Sequence, residues 1–206
     1  MRYQNRLIIN KIFSLPLLNK AYYPLRNLIK PEKLNFEPGS GVLFHRDNIL
    51  EYGGTIALEI GAGETLINNL FLKEFLNYQY VVDIDNLLNL SKVNKVLEGY
   101  SLDKVKNLNQ LIDYQIEYIA PFDLTVDTGD LQNSNIDFFL STSTFEHIPL
   151  ESLKRIMLKL KETLIKGAYL SLHIDYSDHF SHGDSNIGRH NFLRYSCLLY
   201  TSDAAD

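Results

Sequence analysis

The sequence has no tryptophan and one cysteine, Cys197. A single cysteine excludes an internal disulfide framework and any zinc site built on several thiolates. No apolar run approaches the roughly 18–20 residues of a membrane-crossing helix. A basic excess is also missing: 20 Lys+Arg stand against 25 Asp+Glu, for a net charge of −5. Without a basic face there is no electrostatic footprint for nucleic acid, and no nucleic-acid partner is expected. Internal repeats and low-complexity segments are absent as well. What remains is an ordinary globular composition, 45% hydrophobic and 22% charged. A chain of this length buries about 70% of its unfolded surface and needs no covalent staples.

The charge is unevenly spread. Arg2, Arg6, Lys11, Lys20, Arg26 and Lys30 all precede the first acid, Glu32. They are interleaved with Leu, Ile, Phe and Tyr, so residues 1–31 read either as an amphipathic segment on an anionic membrane surface or as short packing helices with solvated cations. Pro16 and Pro24 break the stretch into pieces and favour the second reading. We therefore expect a cytoplasmic protein, with peripheral membrane contact through residues 1–31 as the alternative. Residues 32–54, rich in Pro and Gly, read as a connector into a core, so 1–54 is expected to be a basic helical arm plus connector.

From residue 55 the pattern alternates. Apolar strands are expected at 55–60, 78–85, 116–120, 136–142 and 168–175. Helices are expected at 65–77, 87–100 and 103–117, and from Pro149 to Ile165, with proline suited to a first helical turn. Strands alternating with helices predict an α/β fold with a parallel sheet.

The first strand runs into Gly61-Ala62-Gly63 and then a helix. Glycines let the backbone turn sharply and let a ligand approach it closely, and amides near a helix start suit an anionic or polar group. Asp83 lies about 20 residues beyond Gly63, where a carboxylate can accept hydrogen bonds from ribose hydroxyls. A dinucleotide site would have a third glycine where this chain has Leu66, so the pattern leaves two ligand types open.

Ala57-Leu-Glu-Ile-Gly-Ala-Gly63 resembles the first motif of class I S-adenosylmethionine-dependent methyltransferases, and Val81-Val-Asp-Ile-Asp85 resembles their second. Ile136 to Ser141, followed by Ser143-Thr-Phe-Glu-His-Ile-Pro149, is similar to the fourth-strand motif, and Leu160 to Leu170 resembles the segment leading into strand five. The resemblance covers about residues 55–175, with four motifs in order. It implies a Rossmann-like, doubly wound parallel sheet and S-adenosyl-L-methionine as cofactor. Gly61, Ala62 and Gly63 would lie under its methionine part, and Glu59 would orient that loop or the amino group. Asp83 would bind the ribose hydroxyls, with Asp85 as the other choice. Asp123 would contact adenine, with Asp127 and Asp130 as competitors. Ser141 and Thr142 would sit beside the reactive methyl. Where many members carry a further glycine this chain has Thr65, which could cap the following helix.

Methyl transfer to oxygen also needs a base. His179 is the first candidate, followed by His147 and Asp175, each of which could equally be a structural group. Asp175, Asp178, His179, His182 and Asp184 are oxygen and imidazole ligands close in sequence, but they read as a polar loop, and no metal is expected. Asn191 to Tyr195, with the preceding Asp175–His182 stretch, resembles a bacterial subgroup of methyltransferase-like proteins linked with saccharide pathways, which suggests a small-molecule or sugar hydroxyl as acceptor. The family sheet has seven strands, and a C-terminal strand 6/7 hairpin is missing here. After Ser196 the chain reads Cys197-Leu-Leu-Tyr-Thr-Ser-Asp-Ala-Ala-Asp206, which is similar to a translated transposon-type sequencing adapter. We therefore expect a core at 55–196 that is truncated after Ser196, and a non-native tail at 197–206. The competing expectations are a non-catalytic Rossmann-like binding domain and an NAD-dependent oxidoreductase or epimerase.

Overall fold

The computed structural model describes residues 36–177, 181 and 186–194. The basic segment 1–31, the candidate base His179 and the tail 197–206 lie outside the described residues. The chain divides into two units, residues 35–174 and residues 1–34 with 175–206. In the second, the described residues include a 3₁₀ turn at Asn191–Arg194 and an Asp175 carboxylate that accepts from the Ser177 amide at 2.8 Å.

The first unit contains a sheet of five parallel strands: β1 (Ile56–Ile60), β2 (Tyr78–Val82), β3 (Ile116–Ile119), β4 (Phe138–Thr142) and β5 (Tyr169–His173). Their order is β3-β2-β1-β4-β5. The direction of winding reverses between β1 and β4, and in such sheets ligands bind outside the carboxyl ends of the strands at that switch point.

The strands read as near-continuous apolar runs because both faces are covered. Alternate residues feed two cores. Leu58 of β1 and Phe139 of β4 pack with Ile156 and Leu160 on one face, and Ala57, Phe138 and Leu140 pack with Val42, Ile49 and Leu72 on the other. Phe138 and Phe139 are both fully buried, each worth about 1.5–3 kcal/mol of burial.

Among the described residues, four α-helices accompany the sheet: α1 (Ser40–Tyr52), α2 (Ile67–Leu72), α3 (Leu90–Gly99) and α4 (Leu150–Thr163). Three segments differ from the sequence pattern. The segment read as a connector contains α1, whose Val42, His45 and Ile49 are buried at helical spacing. The helix expected over 65–77 narrows to α2, and Thr65 does not cap it. Leu66 occupies the N-cap in a left-handed conformation, φ 56°, with no side-chain cap; its complete burial holds it there. Residues 103–117 form a 3₁₀ run, Leu108–Tyr114, rather than an α-helix. Helix α4 starts after Pro149 as expected. Among the described residues no helix is long and apolar enough to cross a membrane.

Candidate functional site

The glycine turn leaves β1 at the switch point. Gly61 has φ +83° and Gly63 φ +69°, values that favour glycine. Gly61 is held from two sides. Its amide donates to the Val82 carbonyl at 3.1 Å, and the Thr144 hydroxyl, from the turn after β4, lies 3.4 Å from its carbonyl oxygen. Ser143, just after β4, also has a positive φ of 48°. Leu66, Ser101, Gln115 and Asn135 share this left-handed conformation, so backbone strain does not by itself mark the edge.

Asp83 follows β2 directly. It is 5% exposed, with the Tyr118 hydroxyl and the Ala62 amide close enough to its carboxylate to bear on its pKa, while the Tyr118 hydroxyl itself donates to the Asp85 carbonyl at 3.3 Å. Its Oδ2 atom is buried without a hydrogen-bond partner. Burial pushes its pKa up to about 6, against Tyr118 and Ala62, which lower it. The Asp83 carbonyl accepts from the Phe122 amide at 2.8 Å, which ties the loop after β3 to this edge. Asp85, the other choice, is exposed.

Glu59, on β1, is 2% exposed. Its Oε2 accepts from Asn69 Nδ2 on α2 at 2.6 Å. The same amide nitrogen lies 3.2 Å from Gln79 Oε1, and Gln79 Nε2 donates back to the Asn69 carbonyl at 2.9 Å. Burial raises Glu59 to about 8; the Asn69 bond pulls it down and Asp83 pushes it up. Glu59 therefore sits beneath the glycine turn, tied to α2. A carboxyl with a raised folded pKa stabilises the fold fully below its unfolded pKa of 4.5, and that contribution is lost as pH rises through about 8. Glu59→Gln keeps the acceptor for Asn69 and removes the titration. Its melting temperature relative to wild type is expected to climb between pH 5.5 and pH 9. A difference that stays flat across that range would mean the buried carboxyl is not protonated.

The other expected residues are placed as follows. Ser141 is buried, with its hydroxyl 3.3 Å from the Ile60 carbonyl. The Thr142 hydroxyl lies 3.1 Å from His45 Nε2. Both hydroxyls thus have protein partners. Asp123 is exposed and accepts from the Thr125 amide at 2.9 Å in a local turn. Asp127 accepts from the amides of Thr128 and Gly129, bonds that lower its pKa. Asp130 is exposed as well. Burial therefore does not single out one of the three acids. His147 lies half-buried in a 3₁₀ turn, Phe145–His147, just after β4. Asp175 belongs to the other unit. No group of three or more His, Cys, Asp or Glu side chains among the described residues is arranged to hold a metal; Asp178, His179, His182 and Asp184 lie outside them.

One cluster was not expected from the sequence. His45 of α1 is fully buried. Its Nδ1 is 2.7 Å from Ser171 Oγ on β5, and Asn48 Nδ2 donates to the same oxygen at 2.7 Å. The signal was present as a histidine standing between Val42 and Ile49 in a helical stripe, inside a segment whose glycines and prolines suggested a loop.

No family model and no curated protein matches the chain. Solved structures do. A Staphylococcus aureus protein assigned as a caffeoyl-CoA O-methyltransferase aligns over 95% of this chain and 86% of its own, with a TM-score of 0.50 at 13% identity. An S-adenosylmethionine-dependent methyltransferase from Clostridium acetobutylicum aligns over 81% of this chain with a TM-score of 0.47 at 13% identity. The mitomycin 7-O-methyltransferase MmcR aligns over 68%, with a TM-score of 0.45 at 16% identity. The chain spans 60% of the Clostridium protein's length and 36% of MmcR's. At these identities the likeness is one of architecture. The fold is α/β with a five-stranded parallel sheet, like the Rossmann-like sheet of methyltransferases.

Proposed function

We propose that the chain binds S-adenosyl-L-methionine at the carboxyl ends of β1 and β2 and transfers its methyl group to a hydroxyl of a small molecule or saccharide. The observation that carries this reading is Asp83: a buried carboxylate oxygen without a partner, beside a glycine turn with two positive φ values, at the switch point of the sheet. A buried acceptor left unpaired costs about 1–3 kcal/mol, which a ligand hydroxyl would recover. Asp83 accepts from the ribose, Gly61, Ala62 and Gly63 form the backbone floor under the methionine part, and Glu59 with Asn69 braces that floor from below. Asp123 is the proposed adenine contact. When bound, the cofactor supplies a methyl group already activated by its sulfonium. The protein's own tasks are then to align the acceptor, exclude water and take one proton. His179, His147 and Asp175 are the proposed bases. Residues 1–31 are proposed as a basic arm available to a membrane surface, and 197–206 as a non-native tail.

Titration calorimetry tests the cofactor. S-adenosylhomocysteine is expected to bind with a micromolar dissociation constant, about −8 kcal/mol, and NAD not to bind. Binding of NAD instead would favour an oxidoreductase or epimerase, and binding of neither would remove the reading.

A further inference from the structure

The fully buried histidine of α1 belongs to none of the roles above, yet it touches the site's frame at two strands. Helix α1 runs antiparallel to β5. Tyr52, at its end, stacks on Tyr169 at the start of β5, ring centroids 4.9 Å apart, and Gly41, in its first turn, meets Thr142 and His173, the last residues of β4 and β5. Its amino end therefore arrives at the carboxyl edge of the sheet. There both branches of the Thr142 side chain are engaged by α1. The methyl Cγ2 would be 2.8 Å from a Cβ on Gly41, so only a residue without a side chain lets the two approach. The hydroxyl is 3.1 Å from His45 Nε2.

The hydrogen bonds have a consistent polarity. An asparagine amide nitrogen can only donate, so Ser171 Oγ accepts from Asn48 and its own hydrogen is available to His45 Nδ1. We assign the ring proton to Nε2, where it faces Thr142. Burial and the neighbouring His173 hold His45 down to about 4, while a hydrogen bond to the Ser141 backbone raises it, so the ring is neutral at physiological pH. From Thr142 the path continues. The single Thr144 hydroxyl hydrogen is shared between the Thr142 carbonyl at 3.1 Å and the Gly61 carbonyl at 3.4 Å, both of which accept. A chain of polar contacts thus leads from α1, through the ends of β5 and β4, to the turn after β1.

We propose that His45 is a positioning residue: through Nε2 it fixes Thr142, and through the Thr142–Thr144 turn it sets the geometry of the Gly61 loop. This rests on the cofactor reading for its binding test, but its structural half can be measured without any ligand.

Two near-isosteric variants separate the two ring nitrogens. Glutamine places its terminal amide near the Nε2 position and keeps a donor for Thr142. Asparagine places its amide near Nδ1 and keeps only the Ser171 contact. Each loses one buried hydrogen bond, so both are expected to lower the melting temperature by a similar amount. In the free protein, threonine-methyl and amide NMR are expected to show Thr144 and Gly61 shifted in His45→Asn and near their wild-type positions in His45→Gln. Calorimetry with S-adenosylhomocysteine is expected to show a dissociation constant about tenfold higher for His45→Asn and within about threefold of wild type for His45→Gln. The proposal is overturned if Asn and Gln shift Thr144 and Gly61 alike, or if binding weakens equally in both. If wild type does not bind the probe while the NMR contrast appears, the positioning stands and the cofactor reading falls.

Discussion

Asp83→Ala is expected to abolish measurable binding of S-adenosylhomocysteine, and Asp83→Asn to weaken it by about 10²–10⁴-fold. A pair of vicinal hydroxyls can donate two hydrogen bonds to an ionised carboxylate, and bonds to a charged group are worth about 1.5–3 kcal/mol each. Asparagine retains one acceptor and presents a donor where Oδ2 stood, so one of the two is lost outright and the other becomes neutral. The cost should fall on binding and not on folding. Because burial raises Asp83 to about 6, its ionised form is disfavoured in the ligand-free fold, and its contribution to stability is lost as pH rises through that value. At pH 8, Asp83→Asn is therefore expected to melt no lower than wild type while binding poorly. The same shift gives wild type a pH signature. Affinity should fall about tenfold per unit below pH 6, as protonation removes the acceptor. Asp85→Ala, at an exposed position, should bind within about threefold of wild type. Comparable losses for Asp83 and Asp85 variants, or full affinity in Asp83→Asn, would assign the ribose elsewhere.

The strands were legible because a parallel sheet covered on both faces demands consecutive apolar residues, and Phe138-Phe-Leu140 and Ala57-Leu58 meet that demand without alternation. The glycine turn was legible for a different reason: two positive φ values leave few choices of residue. Helix α1 was not legible. Its buried stripe is Val42, His45 and Ile49, with a polar residue in the middle, while Phe44, Leu50 and Tyr52 lie exposed and blur the period. Its flanking glycines, Gly39 and Gly53, are the ends of a helix and look the same as a loop. Spacing from Gly63 already favoured Asp83 over Asp85; what spacing does not carry is burial, and Asp83 is buried while Asp85 is exposed. Ser141 and Thr142 were placed correctly at the end of β4, but whether a hydroxyl faces a ligand or its own protein depends on neighbours distant in sequence, here Ile60 and His45. The loop acids Asp123 and Asp127 serve local turn amides, a use that leaves no trace in spacing to the next strand.

The two glycines of the turn should respond differently to the same added methyl. A Cβ on Gly61 would stand 2.4 Å from Thr144 Oγ1 and 2.6 Å from its Cγ2, whereas a Cβ on Gly63 would meet no atom within 4 Å. Both have positive φ, so alanine at either position carries a backbone strain of about 1–2 kcal/mol. Gly61→Ala must in addition displace Thr144, and overpacking of this kind costs about 1–3 kcal/mol more. Gly61→Ala is therefore expected to lose roughly 2–5 kcal/mol of stability in denaturant melts and to bind S-adenosylhomocysteine at least tenfold more weakly, because the turn moves with Thr144. Adding Thr144→Ala should return the part due to the collision and leave the part due to φ. Gly63→Ala should melt close to wild type, within the backbone strain alone. Its methyl enters open space above the turn, where the proposed reading seats the methionine part of the cofactor, so its affinity should fall more steeply than its stability. If Gly63→Ala bound the probe as well as wild type does, the space above that glycine would hold no ligand, and the floor of the site would have to be sought along the ends of β2 and β4 instead.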